Sequence, residues 1–181
     1  MLVVGTESLQ AVLFDMDGTI IDSEPYWMRA ERELVESFGG TWSDEQGYAL
    51  VGSGLWNSAS LIRAAGVELE LDDIVHHLSN RVLEQIKDSV PWRPGVREVL
   101  GTILQRGLPC ALVTMSLRKN AEALAEAVAQ ELGAPVFHAI ISGDDVSAPK
   151  PNPEAYLLGA QALGVPISHT VAIEDSSYGA A

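Results

Sequence analysis

A chain of 181 residues with 25 Asp and Glu against 11 Lys and Arg carries a net charge of -14, and 47% of its residues are hydrophobic. This composition excludes disorder as the default state, and the negative charge opposes a nucleic-acid or anionic-membrane partner. The single cysteine, Cys110, excludes an intramolecular disulfide; within the apolar run 108–113 it reads as a buried, inert thiol in a reducing compartment.

Residues 1–10 hold no basic segment leading into a long apolar stretch, and no run of about 18 apolar residues occurs anywhere. The expectation is a cytoplasmic protein without membrane contact. Ala11 to Phe14 is a continuous apolar run that stops at Asp15, the pattern of a strand buried on both faces of a parallel sheet. In Asp15-Met16-Asp17-Gly18-Thr19, two carboxylates two positions apart leave a strand end on one side while the chain turns at Gly18.

From Glu24 to Trp92 the periodicity is helical and no convincing strand occurs. Ser43 with Gln46 has the spacing of a capping box, and Leu71, Ile74, Val75, Leu78, Val82 and Ile86 form one apolar stripe. Tyr26, Trp27, Met28, Trp42 and Trp56 read as core packing of this helical segment in preference to a pocket lining. Leu50-Val51-Gly52-Ser53 interrupts the helical pattern and is expected to form a loop that touches the leaving group of a substrate.

Beyond Trp92, strands and helices alternate. Val96, Val99, Leu100, Ile103 and Leu104 repeat at helical spacing behind Pro94 and before Gly107. Pro109 to Val113 reads as a strand ending at Thr114. Leu117, Ala121, Leu124, Val128 and Leu132 form a helical stripe that ends at Gly133. Phe137 to Ile141 ends at Ser142, Asn152-Pro153-Glu154 opens a helix, and Thr170 to Ile173 ends at Glu174. The alternation predicts an α/β fold. Its core is a Rossmann-like parallel sheet over residues 1–23 and 93–181, with an inserted all-helical cap subdomain at 24–92. In such a sheet ligands bind at the carboxyl ends of the strands, where the inserted helices would act as a lid.

The polar residues at those ends carry the chemistry. Glu174 and Asp175 add two carboxylates to Asp15 and Asp17, and like charges about 4 Å apart repel by roughly 4 kcal/mol per pair at an effective dielectric near 20. The cluster therefore asks for a cation, and oxygen donors without a nearby His or Cys suit Mg2+. Thr114 offers a hydroxyl ahead of a helix N-terminus, whose backbone N–H groups can hold phosphate oxygens, and Lys150 offers a full positive charge. Taken singly, each group has a structural reading: Asp17-Gly18 as a turn, Thr114 as a helix cap, Lys150-Pro151 as a solvated loop, Glu174-Asp175-Ser176 as an acidic turn. His76, His77, His138 and His169 are assigned no metal.

Together, Asp15-x-Asp17-Gly-Thr, Thr114, Lys150-Pro151 and Glu174-Asp175-Ser176 resemble the four ordered motifs of the haloacid dehalogenase superfamily. The helical insert directly after the first motif is similar to the cap of its beta-phosphoglucomutase-like phosphatases. The resemblance implies a magnesium-dependent phosphatase acting on a small phosphorylated metabolite, phosphosugars included, as a monomer or weak dimer. It implies Asp15 as nucleophile and Asp17 as general acid and base. Thr114, Met115 and Lys150 would bind phosphate, and Asp15, Asp17 (through its backbone carbonyl), Glu174 and Asp175 would bind Mg2+.

Two departures stand out. Pro149 replaces the Gly that relatives commonly carry before the lysine and is expected to shift the approach of Lys150. Relatives also continue past the fourth motif with a helix and a strand, so a truncated chain is expected here, with 170–173 as an unprotected edge. The rival activity is a phosphomutase. Mutases usually carry a His after the first motif and Lys and Arg in the cap loop, where this chain has Trp27, Val51 and Leu55. A dehalogenase usually lacks a counterpart of Asp17, and a receiver module lacks the insert. A catalytically weak phosphate-binding or scaffold protein is the remaining alternative.

Overall fold

The computed structural model describes residues 9–177 and 179–180. Residues 1–8, read above for a leader segment, and Ala181, where a truncation is expected, lie outside the described residues. The chain divides into two compact units, Met1–Asp22 with Val90–Ala181, and Ser23–Ser89.

The first unit is built on a parallel sheet of β1 (Ala11–Phe14), β2 (Cys110–Val113), β3 (Ala139–Ile141) and β4 (Thr170–Ile173), ordered β3-β2-β1-β4 among the described residues. Every residue of β1 and β2 is buried, which is why both strands are apolar at each position instead of alternating. β3 and β4 lie at the two edges and are only partly buried. Burial pushes the Cys110 thiol up to about 12, which makes it the inert core residue expected.

Three helices of this unit follow the strand-helix alternation, α5 (Val96–Arg106), α6 (Arg118–Leu132) and α7 (Glu154–Ala162) among the described residues. α5 and α6 stop at Gly107 and Gly133, both left-handed, where a glycine ends a helix without steric cost. α7 starts one residue later than its Asn-Pro-Glu signal: Asn152 Oδ1 accepts the Glu154 N–H, and Pro153 is the cap residue. α7 packs across β1, β2 and β3. A Cβ at Gly159 would stand 3.0 Å from Val113 Cγ2, so the missing side chain lets this helix run close to the sheet.

Helices are the regular elements among the described residues of the second unit: α1 (Glu24–Ser37), α2 (Asp44–Tyr48), α3 (Leu55–Ala64) and α4 (Leu71–Asp88). The capping box at Ser43 and Gln46 is present, and Ile74, Val75, Leu78, Val82 and Ile86 are buried in one stripe of α4. Trp42 joins the core, whereas Trp56 is half exposed with its indole N–H donated to Asp72 Oδ1. The core-packing expectation holds for the first and fails for the second. Residues 49–54 form a turn between α2 and α3, and the Ser53 hydroxyl pairs with the Ser58 hydroxyl at 2.7 Å. No helix among the described residues is long and apolar enough to cross a membrane.

Candidate active site

β1 ends where its apolar run ends, at Asp15, whose N–H donates to Ile173 O at 3.0 Å and so fixes it beside the end of β4. The chain then turns through Gly18 at φ +85°, a conformation that favours glycine, with the Gly18 N–H on Ile21 O. Thr19, next in the turn, binds Asp175 twice: its hydroxyl donates to Asp175 Oδ1 at 3.1 Å and accepts the Asp175 N–H at 3.0 Å. The first and fourth motifs are thereby held together across 156 residues of sequence.

Lys150 arrives from the loop before α7. Its backbone N–H donates to Met115 Sδ at 3.4 Å, and the Glu154 carboxylate accepts from Ser147 and Ala148 to brace the loop from the other side. The Lys150 ammonium donates to Asp15 Oδ1 at 2.7 Å and Glu174 Oε2 at 2.8 Å. The Tyr156 hydroxyl at 3.0 Å and Val113 O at 3.1 Å complete its surroundings. With Pro149 in place the Lys150 side chain reaches the strand ends with only 8% exposure.

Burial pushes the Asp15 carboxyl up to about 7, against the pull of the Lys150 charge and with a further upward push from Glu174 and Asp17. For Glu174, burial acts upward, but hydrogen bonds from Lys150 and Tyr156 outweigh it and hold the carboxyl below its usual range. The Tyr156 phenol is driven far up by burial and by Glu174, so it is a proton donor at any working pH, and it donates to Glu174 Oε2.

Asp17 faces a different set of partners. Its Oδ2 accepts from Ser116 Oγ at 2.7 Å and from Thr114 Oγ1 at 3.2 Å, while Thr114 Oγ1 accepts the Ser116 N–H. Of the N–H groups ahead of α6, that of Ser116 is taken by Thr114 and that of Arg118 by Asp144. The Met115 side chain turns toward the Lys150 loop, so a phosphate contact by Met115 would have to use its backbone. The polar end of β3 does not join the site: the Ser142 N–H and hydroxyl both donate to Asp145, closing a local turn.

One carboxylate oxygen from each of Asp15, Glu174 and Asp175 lies within 4.8 Å of the other two. An oxygen-only donor set of this kind fits a hard divalent cation such as Mg2+. Both Glu174 oxygens already have partners, Oε2 with Lys150 and Tyr156 and Oε1 with the Ser176 hydroxyl at 2.8 Å. Asp15 and Asp175 are thus the better placed to ligate directly. Thr19, Ser116, Tyr156 and Ser176 were not among the sequence candidates as individual contributors. Thr19 and Ser176 sit inside the quoted motifs, but Ser116 and Tyr156 have no local pattern that marks them.

A family model described as haloacid dehalogenase-like hydrolase matches residues 9–181. The chain is 31% identical over 176 residues to a phosphorylated carbohydrates phosphatase of Thermotoga maritima, covering 94% of this chain and 78% of that protein. It is 33% identical over 175 residues to a fructose-1-phosphate phosphatase of Escherichia coli, covering 96% and 90% respectively. Among solved structures, CbbY from Rhodobacter sphaeroides in complex with phosphate superposes with a TM-score of 0.81 at 27% identity, over 94% of this chain and 80% of that one.

Proposed function

The chain belongs to the haloacid dehalogenase-like hydrolases, and from that premise we propose that it is a magnesium-dependent phosphatase of small phosphate monoesters, phosphosugars foremost, acting through an aspartyl-phosphate on Asp15. The observation that carries this reading is the buried meeting of Asp15, Lys150 and Glu174 at one sheet rim, with Asp175 within ligand distance. The relatives named as phosphatases of phosphorylated carbohydrates and of fructose-1-phosphate support the substrate class.

In this reading an Asp15 oxygen forms a bond to phosphorus as the bond to the ester oxygen breaks, and Asp17 delivers a proton to that departing oxygen. Water then attacks the aspartyl-phosphate, gives its proton to Asp17, and releases inorganic phosphate and free Asp15. Hydroxyls of Ser116 and Thr114 keep the Asp17 carboxylate aimed for both transfers. Lys150, Thr114 and the Met115 backbone hold the transferring group. Mg2+, held by the Asp15 and Asp175 carboxylates and the Asp17 backbone carbonyl with Glu174 beside them, would neutralise charge on the phosphoryl oxygens when bound. The inserted helical segment, residues 24–92, contributes substrate selection.

The test is phosphate release from a panel of sugar, nucleotide and small-acid phosphates. Phosphosugars should lead, EDTA should stop turnover and Mg2+ restore it, and Ca2+ should substitute poorly because it prefers more ligands and looser geometry. Asp15→Asn should abolish turnover with the circular dichroism spectrum unchanged. Metal-independent turnover, or a wild-type rate in Asp15→Asn, would overturn the proposal.

A further inference from the structure

We infer that Tyr156 is a positioning residue of this site, its hydroxyl locking the Lys150 ammonium to the Glu174 carboxylate so that Asp15 and Asp175 remain available to a divalent cation. The inference rests on the function proposed above and adds a residue to it.

The geometry is a closed triangle. The Tyr156 hydroxyl donates its one proton to Glu174 Oε2 at 2.5 Å, and its lone pair accepts from Lys150 Nζ at 3.0 Å. Lys150 Nζ itself donates to the same Glu174 oxygen at 2.8 Å. Each edge fixes the other two. An ammonium has three protons, and here it has four acceptors at hydrogen-bond distance, Asp15, Glu174, Tyr156 and Val113 O. Without the phenol, Lys150 keeps three acceptors for its three protons, but Glu174 Oε2 loses one of its two donors and the carboxylate is less firmly held beside Asp15 and Asp175. The ring adds a second constraint, since Nζ stands 4.7 Å from its centroid, within range of a cation–π contact.

The chain delivers Tyr156 to this point through α7. Gly159 lies one helical turn further along, on the same face, and lets the helix backbone approach Val113 and Leu13. The Tyr156 ring accordingly packs against the cluster of Leu13, Ala111, Val113 and Ile141, with its polar tip at the strand ends. The position is six residues beyond Lys150, so loop and helix place both groups as a unit.

Tyr156→Phe keeps the ring and removes only the hydroxyl. Expected is a loss of Mg2+ affinity of about tenfold by calorimetry, in the range seen when groups supporting metal ligands are removed. A fall in kcat of about tenfold, with KM for a sugar phosphate changed less than about twofold, should accompany it. The thermal midpoint measured without Mg2+ should stay within a few degrees of wild type. Because the hydroxyl acts through Glu174, adding Tyr156→Phe to Glu174→Gln should change Mg2+ affinity no further. A lowered midpoint with unchanged Mg2+ affinity and kcat would show a packing role and overturn the inference, as would additive losses in the double variant. Wild type that binds no Mg2+ would remove the proposed function together with this inference; wild type that binds while Tyr156→Phe binds equally well removes the inference alone.

Discussion

Lys150 Nζ lies 2.7 Å from Asp15 Oδ1, and both side chains are almost wholly shielded from water. Shielding makes the pair sensitive to loss of one partner, because a buried charge left alone costs about 3–5 kcal/mol unless it can neutralise. Asp15 can neutralise, since burial already pushes it up to about 7. Lys150→Met should therefore protonate Asp15 instead of unfolding the protein. The expected result is a fall in kcat/KM of at least about 100-fold, the scale of losing one preorganised electrostatic contact. Residual activity should rise with pH across the neutral range as Asp15 ionises later. A pH profile of kcat/KM with parallel thermal melts checks this; a residual rate flat with pH would contradict it.

Asp17 depends on two hydroxyls that come from beyond β2. Asp17→Asn should slow both aspartyl-phosphate formation and its hydrolysis by about 100- to 10,000-fold, the usual range for a general acid and base. Ser116→Ala removes the shorter of the two hydrogen bonds to Asp17 Oδ2, 2.7 Å against 3.2 Å from Thr114. With Thr114 still in place, its cost should be much smaller, about tenfold, corresponding to one hydrogen bond to a charged group. Single-turnover kinetics with a leaving group of low pKa separates the roles. Such a substrate needs no proton on departure, so Asp17→Asn should then spare the first step and still slow the second.

Gly18 has no room for a side chain. At φ +85° an L residue is strained, and a Cβ there would overlap the Asp175 carboxylate, with Cγ at 2.7 Å and Oδ1 at 2.9 Å. Gly18→Ala should displace Asp175 from Thr19 and weaken Mg2+ binding by about 10- to 100-fold. The backbone penalty adds about 1–2 kcal/mol of destabilisation. Magnesium titration calorimetry together with a thermal melt distinguishes the two effects; intact Mg2+ affinity would show that Asp175 tolerates the shift.

The parts of this fold that were readable in sequence share one physical property: a single local pattern determines them. β1 and β4 run over the residues expected; β1 is covered on both faces and so is apolar until it reaches the polar rim, and β4, though only partly buried, has the same apolar run ending at Glu174. β2 and β3 begin one and two residues later than their apolar runs suggest, because runs report burial whereas strands need pairing partners. Asp15, Asp17, Thr114, Lys150, Glu174 and Asp175 were visible because each follows such a run or stands in a short motif. Tyr156 and Ser116 were not, as their meaning lies in contacts to Glu174 and Asp17, the second 99 residues away in sequence. Ser142 shows the limit from the other side: a polar strand end looks alike in sequence whether it faces a substrate or, as here, closes a turn with Asp145.

Glu31 lies buried on α1, where its Oε2 accepts the Trp42 indole N–H at 3.4 Å and α2 approaches at Gly47. Burial pushes its carboxyl up from 4.5 to about 7, and the single long hydrogen bond from Trp42 opposes this only weakly. The folded chain therefore holds a proton that the unfolded chain releases between those values. Stability from this group is fully present below pH 4.5 and is lost as pH rises to about 7. The loss is on the order of 3 kcal/mol, taking 1.36 kcal/mol for each pH unit between the two values. Glu31→Gln keeps the size and the acceptor and removes the titration. Relative to wild type it should be about equally stable near pH 4.5 and more stable by up to about 3 kcal/mol above pH 7. Urea unfolding of both proteins across that range measures the difference, and two curves that stay parallel would show that Glu31 is not the group responsible.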